Sequence, residues 1–155
     1  MNLKAKTILF LATGGHVGHV RFAPGTFGSV EGLFFCFLLS LIPLPVAVCA
    51  IVAFILFSIR VSGEAEKHVG KKDPGCVIID EVAGMMVTMA GLPFTPFTAA
   101  IGFMLFRGFD ILKPPPIRTL QDRLSGGAGI VLDDVAAGIA ANMFLRLILR
   151  ITDYA

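Results

Sequence analysis

Two adjacent pairs of carboxylates, Asp80-Glu81 and Asp133-Asp134, interrupt stretches that are otherwise apolar. Between them run Arg107, Asp110, Lys113, the prolines 114–116 and Arg118, followed by Gly126-Gly127-Ala128-Gly129. Basic groups, a stiff proline turn, a glycine loop and paired acids are the groups needed to hold a divalent cation against a phosphate. Mg²⁺ is the expected ion, since it takes oxygen ligands and keeps water and substrate phosphate in its shell. On this reading Asp80, Glu81, Asp133 and Asp134 hold the metal, with Asp110 a further candidate. Arg107 and Arg118 present planar forks to phosphate oxygens, and Lys113 presents a point charge. Plainer readings stand beside these. Asp110 and Lys113 could form a surface ion pair, the basic residues could anchor at lipid headgroups, and Asp80-Glu81 could be a solvated helix end. Against the last, Val77-Ile78-Ile79 and Val82-Ala83-Gly84 flank the pair, and carboxylates in such a setting are costly unless compensated.

The two acidic segments echo each other. Ile79-Asp80-Glu81-Val82-Ala83-Gly84 resembles Leu132-Asp133-Asp134-Val135-Ala136-Ala137-Gly138. Each sets two carboxylates at the start of an apolar helix rich in small residues, and small residues let helices approach closely. Packed together, they would bring four carboxylates into one place and require a cation there. Coincidence in a short match is the rival explanation.

Composition says where these elements sit. Of 155 residues, 55% are hydrophobic and 15% charged, against about 25% charged in soluble domains. With a mean hydropathy of +0.83, the chain reads as a small integral membrane protein of one domain, residues 1–155. A net charge of +2 is too small to argue for nucleic acid. Cys36, Cys49 and Cys76 lie in or beside apolar stretches with no paired spacing, so neither a zinc site nor a disulfide framework follows; free, buried thiols are expected. His16 and His19 lack further ligands for zinc.

The positioning elements follow from the hydropathy pattern. Lys4 and Lys6 precede a short apolar run without a cleavage pattern, which predicts a retained, interfacial or partly buried segment. Pro24-Gly25-Thr26-Phe27-Gly28-Ser29 signals a turn and a helix start, with Thr26 or Ser29 as the cap and free N–H groups that suit phosphate. Residues 30–59 predict a helical hairpin broken at Pro43-Leu44-Pro45. A second arm pair runs through residues 76–91 and 98–106, ending at Arg107. A last helix covers 130–151. Arranged as hairpin, hairpin and C-terminal helix, the chain places eleven of its basic residues at one boundary and only Arg146 and Arg150 at the other. The crowded side is then cytoplasmic, and every motif falls near that boundary.

Taken in order, Pro24-Gly25-Thr26-x-Gly28-Ser29, Ile79-Asp80-Glu81, Phe106-Arg107-x-x-Asp110-x-x-Lys113-Pro114-x-Pro116-Ile117-Arg118 and Gly126-Gly127-x-Gly129-Ile130-x-x-Asp133-Asp134-x-x-Ala137-Gly138 resemble the phosphatidylglycerophosphatase A family over about residues 23 to 140. The resemblance implies an all-α core and a Mg²⁺-dependent lipid phosphatase of the bacterial inner membrane. Its reaction would convert phosphatidylglycerophosphate to phosphatidylglycerol and inorganic phosphate. It carries metal-site roles over to Asp80, Glu81, Asp110, Asp133 and Asp134, catalytic roles to Asp80, Arg107, Lys113 and Asp134, and substrate contacts to Thr26, Gly28, Ser29 and Arg118. Glu31 and Pro115 depart from the pattern and bear on substrate fit more than on activity.

The expected reaction is in-line attack of water on phosphorus, a carboxylate taking the proton while Lys113 and Arg107 stabilise the phosphate oxygens. A covalent aspartyl-phosphate is the alternative. Three other classes compete. An ion-coupled transporter would want acids near the membrane middle, whereas these adjoin polar loops. A CDP-alcohol phosphotransferase would show Asp-x-x-Asp-Gly-x-x-Ala-Arg, which is absent. A membrane scaffold would leave the acidic pairs unexplained.

Overall fold

In the computed structural model, residues 3–115 and 117–152 are described, with the side chains of 120–122 excepted. Pro116, part of the expected proline turn, lies outside the described residues. Those described form helices and no strand: α1 (Leu3–Ala12), α2 (Pro24–Ser40), α3 (Leu44–Val69), α4 (Ile79–Met89), α5 (Pro96–Leu112), α6 (Ile117–Arg123) and α7 (Gly126–Ile151).

Local chemistry sets the helix ends. Pro24, Pro45 and Pro96 stand in first turns, where a fixed φ helps and no N–H is missed. Thr95 and Thr98 close a reciprocal capping box ahead of α5. Gly70 ends α3 with φ 70°, a conformation glycine adopts without strain. The cap expected from Thr26 or Ser29 is not formed. Pro24 starts the helix earlier, Ala23 is its N-cap residue, and both hydroxyl residues lie inside α2.

α4 is the axis of the bundle. α2, α3, α5 and α7 all pack on it, and nine of its eleven residues are buried. Val82, Met85, Met86 and Met89 join Phe106 of α5 and Leu145 of α7 in the main core. Glycines set the closest approaches. A Cβ at Gly138 would overlap the Gly84 carbonyl oxygen, and one at Gly84 would lie 2.8 Å from the Asp134 carbonyl oxygen. Gly32 of α2 lies as tightly on Met85, 2.6 Å from a built Cβ to Met85 Cβ.

At eleven residues, α4 is about 16 Å long, and its last carbonyls need partners. Asn142 of α7 donates to the carbonyls of Thr88 (2.8 Å) and Ala90 (3.0 Å). Arg146 donates to the carbonyls of Ala90 (2.9 Å) and Gly91 (3.3 Å), and its Nε donates to Asn142 Oδ1 (2.8 Å). α7 therefore supplies the C-terminal cap that α4 lacks.

Two helices are long and apolar enough to cross a membrane, α3 (mean hydropathy 2.5) and α7 (1.5). Only 22% of the apolar window of α3 is buried, so most of it faces outward, as in a lipid-facing helix. Val52 and Leu56 of α3 are exposed, as are Phe34 and Phe37 of α2.

Several elements differ from expectation. The turn at 41–43 separates α2 from α3, but the two barely touch beyond it; α2 lies on α4 instead. α5 continues past Arg107 to Leu112, so Arg107 and Asp110 sit on one helix, and Lys113 ends it in the left-handed region (φ 41°). The expected glycine loop at 126–129 is the first turn of α7. A Cβ at Gly127 would overlap the Ile59 carbonyl, so small residues are needed there for packing. Asp133 and Asp134 accordingly lie two turns inside α7 and not at its mouth. Of the thiols, Cys36 is buried, but Cys49 is exposed and Cys76 half-buried, because residue 49 faces out from α3.

Candidate active site

The first turn of α4 carries Asp80 and Glu81, where the free N–H groups favour negative charge. α4 crosses α7 main chain to main chain at Gly84 and Gly138, each four residues after an acid, so the acids meet just before the crossing. Carboxylate oxygens of Asp80, Glu81 and Asp134 all lie within 4.8 Å of one another. Asp80 is 7% exposed, Asp134 3% and Asp133 2%. Two such charges repel by about 3–4 kcal/mol at an effective dielectric near 20.

The basic residues are already paired. Arg107 Nη1 meets Asp110 Oδ2 at 2.5 Å, and Lys113 Nζ meets Asp133 Oδ2 at 2.5 Å. Burial pulls the Lys113 ammonium toward deprotonation, but the bond to Asp133 and the nearby charges of Asp134 and Asp110 outweigh it and raise its pKa above the ordinary lysine value. Asp110 also lies near enough to Glu81 and Asp134 to act on their charge. Five carboxylates thus face two cations.

Asp80 Oδ1, Glu81 Oε2, Asp133 Oδ1 and Asp134 Oδ2 are buried and have no hydrogen-bond partner among the described residues. Buried polar atoms are normally satisfied. Hard oxygens of Asp80, Glu81 and Asp134, converging and in excess of positive charge, fit a divalent cation such as Mg²⁺. Asp80, Glu81 and Asp134 would hold it.

α2 closes one side. A Cβ at Gly25 would overlap Glu81 Oε1 and lie 3.0 Å from Arg107 Nη1; one at Gly28 would lie 2.9 Å from Ile78 Cβ and 3.3 Å from Glu81 Cβ. The Pro24-Gly25 start of α2 therefore passes over Glu81 and Arg107. Gly25 was not singled out among the sequence candidates; its place directly after the helix-starting proline is the signal that could have found it. Ser29 is fully buried and donates to the Gly25 carbonyl (2.8 Å), while Thr26 is half-buried in the same first turns. Arg118 lies exposed on α6 and forms no ion pair among the described residues. Pro115 is exposed. Glu31 turns away from the acidic cluster. Its Oε2 is buried against Gly14 without a partner among the described residues, in a separate groove shared with Phe35, Phe54 and Phe57.

A family profile described as phosphatidylglycerophosphatase A matches residues 10–149. The chain belongs to the phosphatidylglycerophosphatase A family. It is 32% identical over 139 residues to the phosphatidylglycerophosphatase A of Escherichia coli (strain K12), covering 89% of this chain and 81% of that protein. It is 35% identical over 136 residues to the protein of that name in Haemophilus influenzae, covering 86% and 83%. A Bacteroides thetaiotaomicron protein with the provisional name phosphatidylinositol-3-phosphatase is 32% identical over 147 residues, covering 90% and 91%. No solved structure matches. Membership makes the chain an enzyme, a phosphatase, and the acidic cluster lies inside the matched region.

Proposed function

We propose that this protein is a Mg²⁺-dependent phosphatase that hydrolyses phosphatidylglycerophosphate to phosphatidylglycerol and inorganic phosphate, in the bacterial inner membrane with its site toward the cytoplasm. The observation that carries this is the convergence of Asp80, Glu81 and Asp134 oxygens beside Arg107 and Lys113. A phosphate monoester needs positive charge around its oxygens, and this is where the chain can gather it.

Asp80, Glu81 and Asp134 would hold the cation, with Asp110 and Asp133 beside them. When bound, Mg²⁺ supplies positive charge that offsets carboxylate repulsion and stabilises charge on the transferring phosphoryl group. Arg107, held in place by Asp110, offers its guanidinium to phosphate oxygens. Lys113 leaves Asp133 for the incoming phosphate and stabilises charge as the P–O bond breaks. Gly25, Thr26 and Gly28 let the start of α2, with its free N–H groups, stand close to the same phosphate. Ser29 supports that turn from within, and Arg118 contacts the headgroup from the rim. A carboxylate of the cluster accepts a proton from water as the water oxygen bonds to phosphorus, the bond from phosphorus to the glycerol oxygen breaks, and the carboxylic acid so formed returns that proton to the leaving oxygen. Attack by an aspartate is the second route; an acyl-phosphate on the enzyme, trapped during turnover with hydroxylamine or borohydride, would reveal it.

The placement toward the cytoplasm rests on charge. On the layout read from the chain, Lys4, Lys6, Arg21, Arg60, Lys67, Lys71, Lys72, Arg107, Lys113, Arg118 and Arg123 fall at one boundary, and Arg146 and Arg150 at the other.

The Bacteroides relative favours a second headgroup. The deciding experiment is phosphate release by purified protein from phosphatidylglycerophosphate, phosphatidylinositol 3-phosphate and phosphatidic acid, with Mg²⁺ and with EDTA. Release from the first, abolished by EDTA and restored by Mg²⁺, is expected. Faster release from phosphatidylinositol 3-phosphate would replace the substrate, and full activity in EDTA would remove the metal.

A further inference from the structure

The end of the bundle opposite the acidic cluster holds a cavity of about 490 Å³, between the turn after α4 and the last turns of α7. Gly91, Leu92 and Pro93 form one wall, and Met143, Leu147 and Leu149 form the other. Its polar lining consists of two arginines, Arg146 and Arg150, one helical turn apart, and no carboxylate lines it among the described residues.

Arg146 is held in place before any ligand arrives. Its Nε and Nη2 bond to Asn142 Oδ1 and to the carbonyls of Ala90 and Gly91. Those bonds satisfy main-chain acceptors but do not neutralise its charge, and the Nη1 donors take no part in them. Gly91 makes the seat available: it has φ 67°, and a Cβ there would lie 3.0 Å from Arg146 Nη2. A guanidinium already ordered loses less entropy on meeting an anion than a free one. Met143 and Leu147 beside it are exposed, 66% and 54%, on a helix apolar enough to span a bilayer.

We propose that this cavity binds the phosphodiester of an anionic phospholipid. Arg146 and Arg150 clasp the phosphate, and an acyl chain lies along Met143 and Leu147. Charge selects the occupant: a zwitterionic lipid brings its own cation toward two arginines, whereas an anionic one does not. The membrane-spanning placement of α3 and α7 underlies the inference, but the reaction does not.

The chain contains no tryptophan, so Leu147→Trp creates a single reporter on the cavity wall. The protein would be placed in phosphatidylcholine bilayers containing a small fraction of dibrominated phosphatidylglycerol or dibrominated phosphatidylcholine, and quenching recorded. Phe34→Trp, on the exposed face of α2, is the control. Expected is a preference of about fivefold or more for the anionic lipid at position 147, little preference at position 34, and loss of the preference when Arg150→Gln is added to Leu147→Trp. Because that readout is fluorescence and Arg150 lies outside the acidic site, phosphatase activity of Arg150→Gln is expected to be unchanged. Equal quenching by both lipids at 147, the same anionic preference at 34, or a preference that survives Arg150→Gln would each overturn the assignment. Absence of quenching by either lipid at both positions would overturn the membrane placement with it and leave the reaction untouched.

Discussion

Each acid of the cluster has a distinguishable position. Asp134 has an orphaned oxygen and stands in the convergent set, whereas Asp133 shares its charge with Lys113. Asp134→Asn is expected to lower phosphate release by about a thousandfold or more, since it removes a charged oxygen from the proposed cation site. Its thermal midpoint in detergent should hold or rise, because repulsion between buried carboxylates is relieved. A coincident loss of activity and folding would contradict the assignment. Lys113→Met should behave differently. It strands Asp133 in a buried position, at a cost of about 3–5 kcal/mol, and weakens catalysis as well. Adding Asp133→Asn should recover most of the stability and little of the activity, which thermal melts and turnover assays together would show. The types of these residues were legible in the sequence. Their pairings were not, because Arg107–Asp110 and Lys113–Asp133 depend on α5 continuing beyond Arg107 and on Lys113 ending it. Nothing in residue order distinguishes a cation held in reserve on a carboxylate from one that is free.

At the scale of elements, the resemblance between the segments at 79–84 and 132–138 proved spatially meaningful. The helices that carry them do pack together, through the glycine at the end of each repeat. What the pattern could not supply was that Gly126 to Gly129 would begin α7 rather than form a loop, since glycine's low helix propensity was overridden by the need to sit against Ile59 and Leu124. Gly138→Val should force α4 and α7 apart, cost about 1–3 kcal/mol or more through overpacking and remove most activity. Gly108→Ala, where an added Cβ meets nothing within 4 Å, should raise stability by about 0.5–1 kcal/mol, since alanine suits a helix interior better than glycine, and leave turnover unchanged. Asn142→Leu should destabilise the protein by about 1–3 kcal/mol, because carbonyls at the end of α4 lose their donor. Chemical denaturation of the three variants in the same detergent is the check. Asn142 was visible in the sequence only as a polar interruption; its use became clear once α4 was seen to stop after three turns.

For the whole molecule, composition alone announced a membrane protein, and the helices observed agree with it in kind. The hairpin layout was less legible, because hydropathy marks which segments are apolar but not which of them pack together; α2 lies on α4 and not on its sequence neighbour α3. The proposed orientation makes a further prediction. With Cys36, Cys49 and Cys76 replaced, Lys72→Cys and Arg123→Cys should react with an impermeant thiol reagent from the same face of the membrane, and Thr152→Cys from the other. Labelling of positions 72 and 123 from opposite faces would reject the arrangement.

The crossing of Gly84 and Gly138 has one last implication, for how the molecule fails. Where two helices meet through side chains, heat can loosen the seam gradually as rotamers rearrange. Here the backbones themselves touch, and nothing soft lies between them to yield. The geometry of the acidic cluster should therefore persist undiminished until the pair separates, so that inactivation and cooperative melting fall at one temperature rather than two.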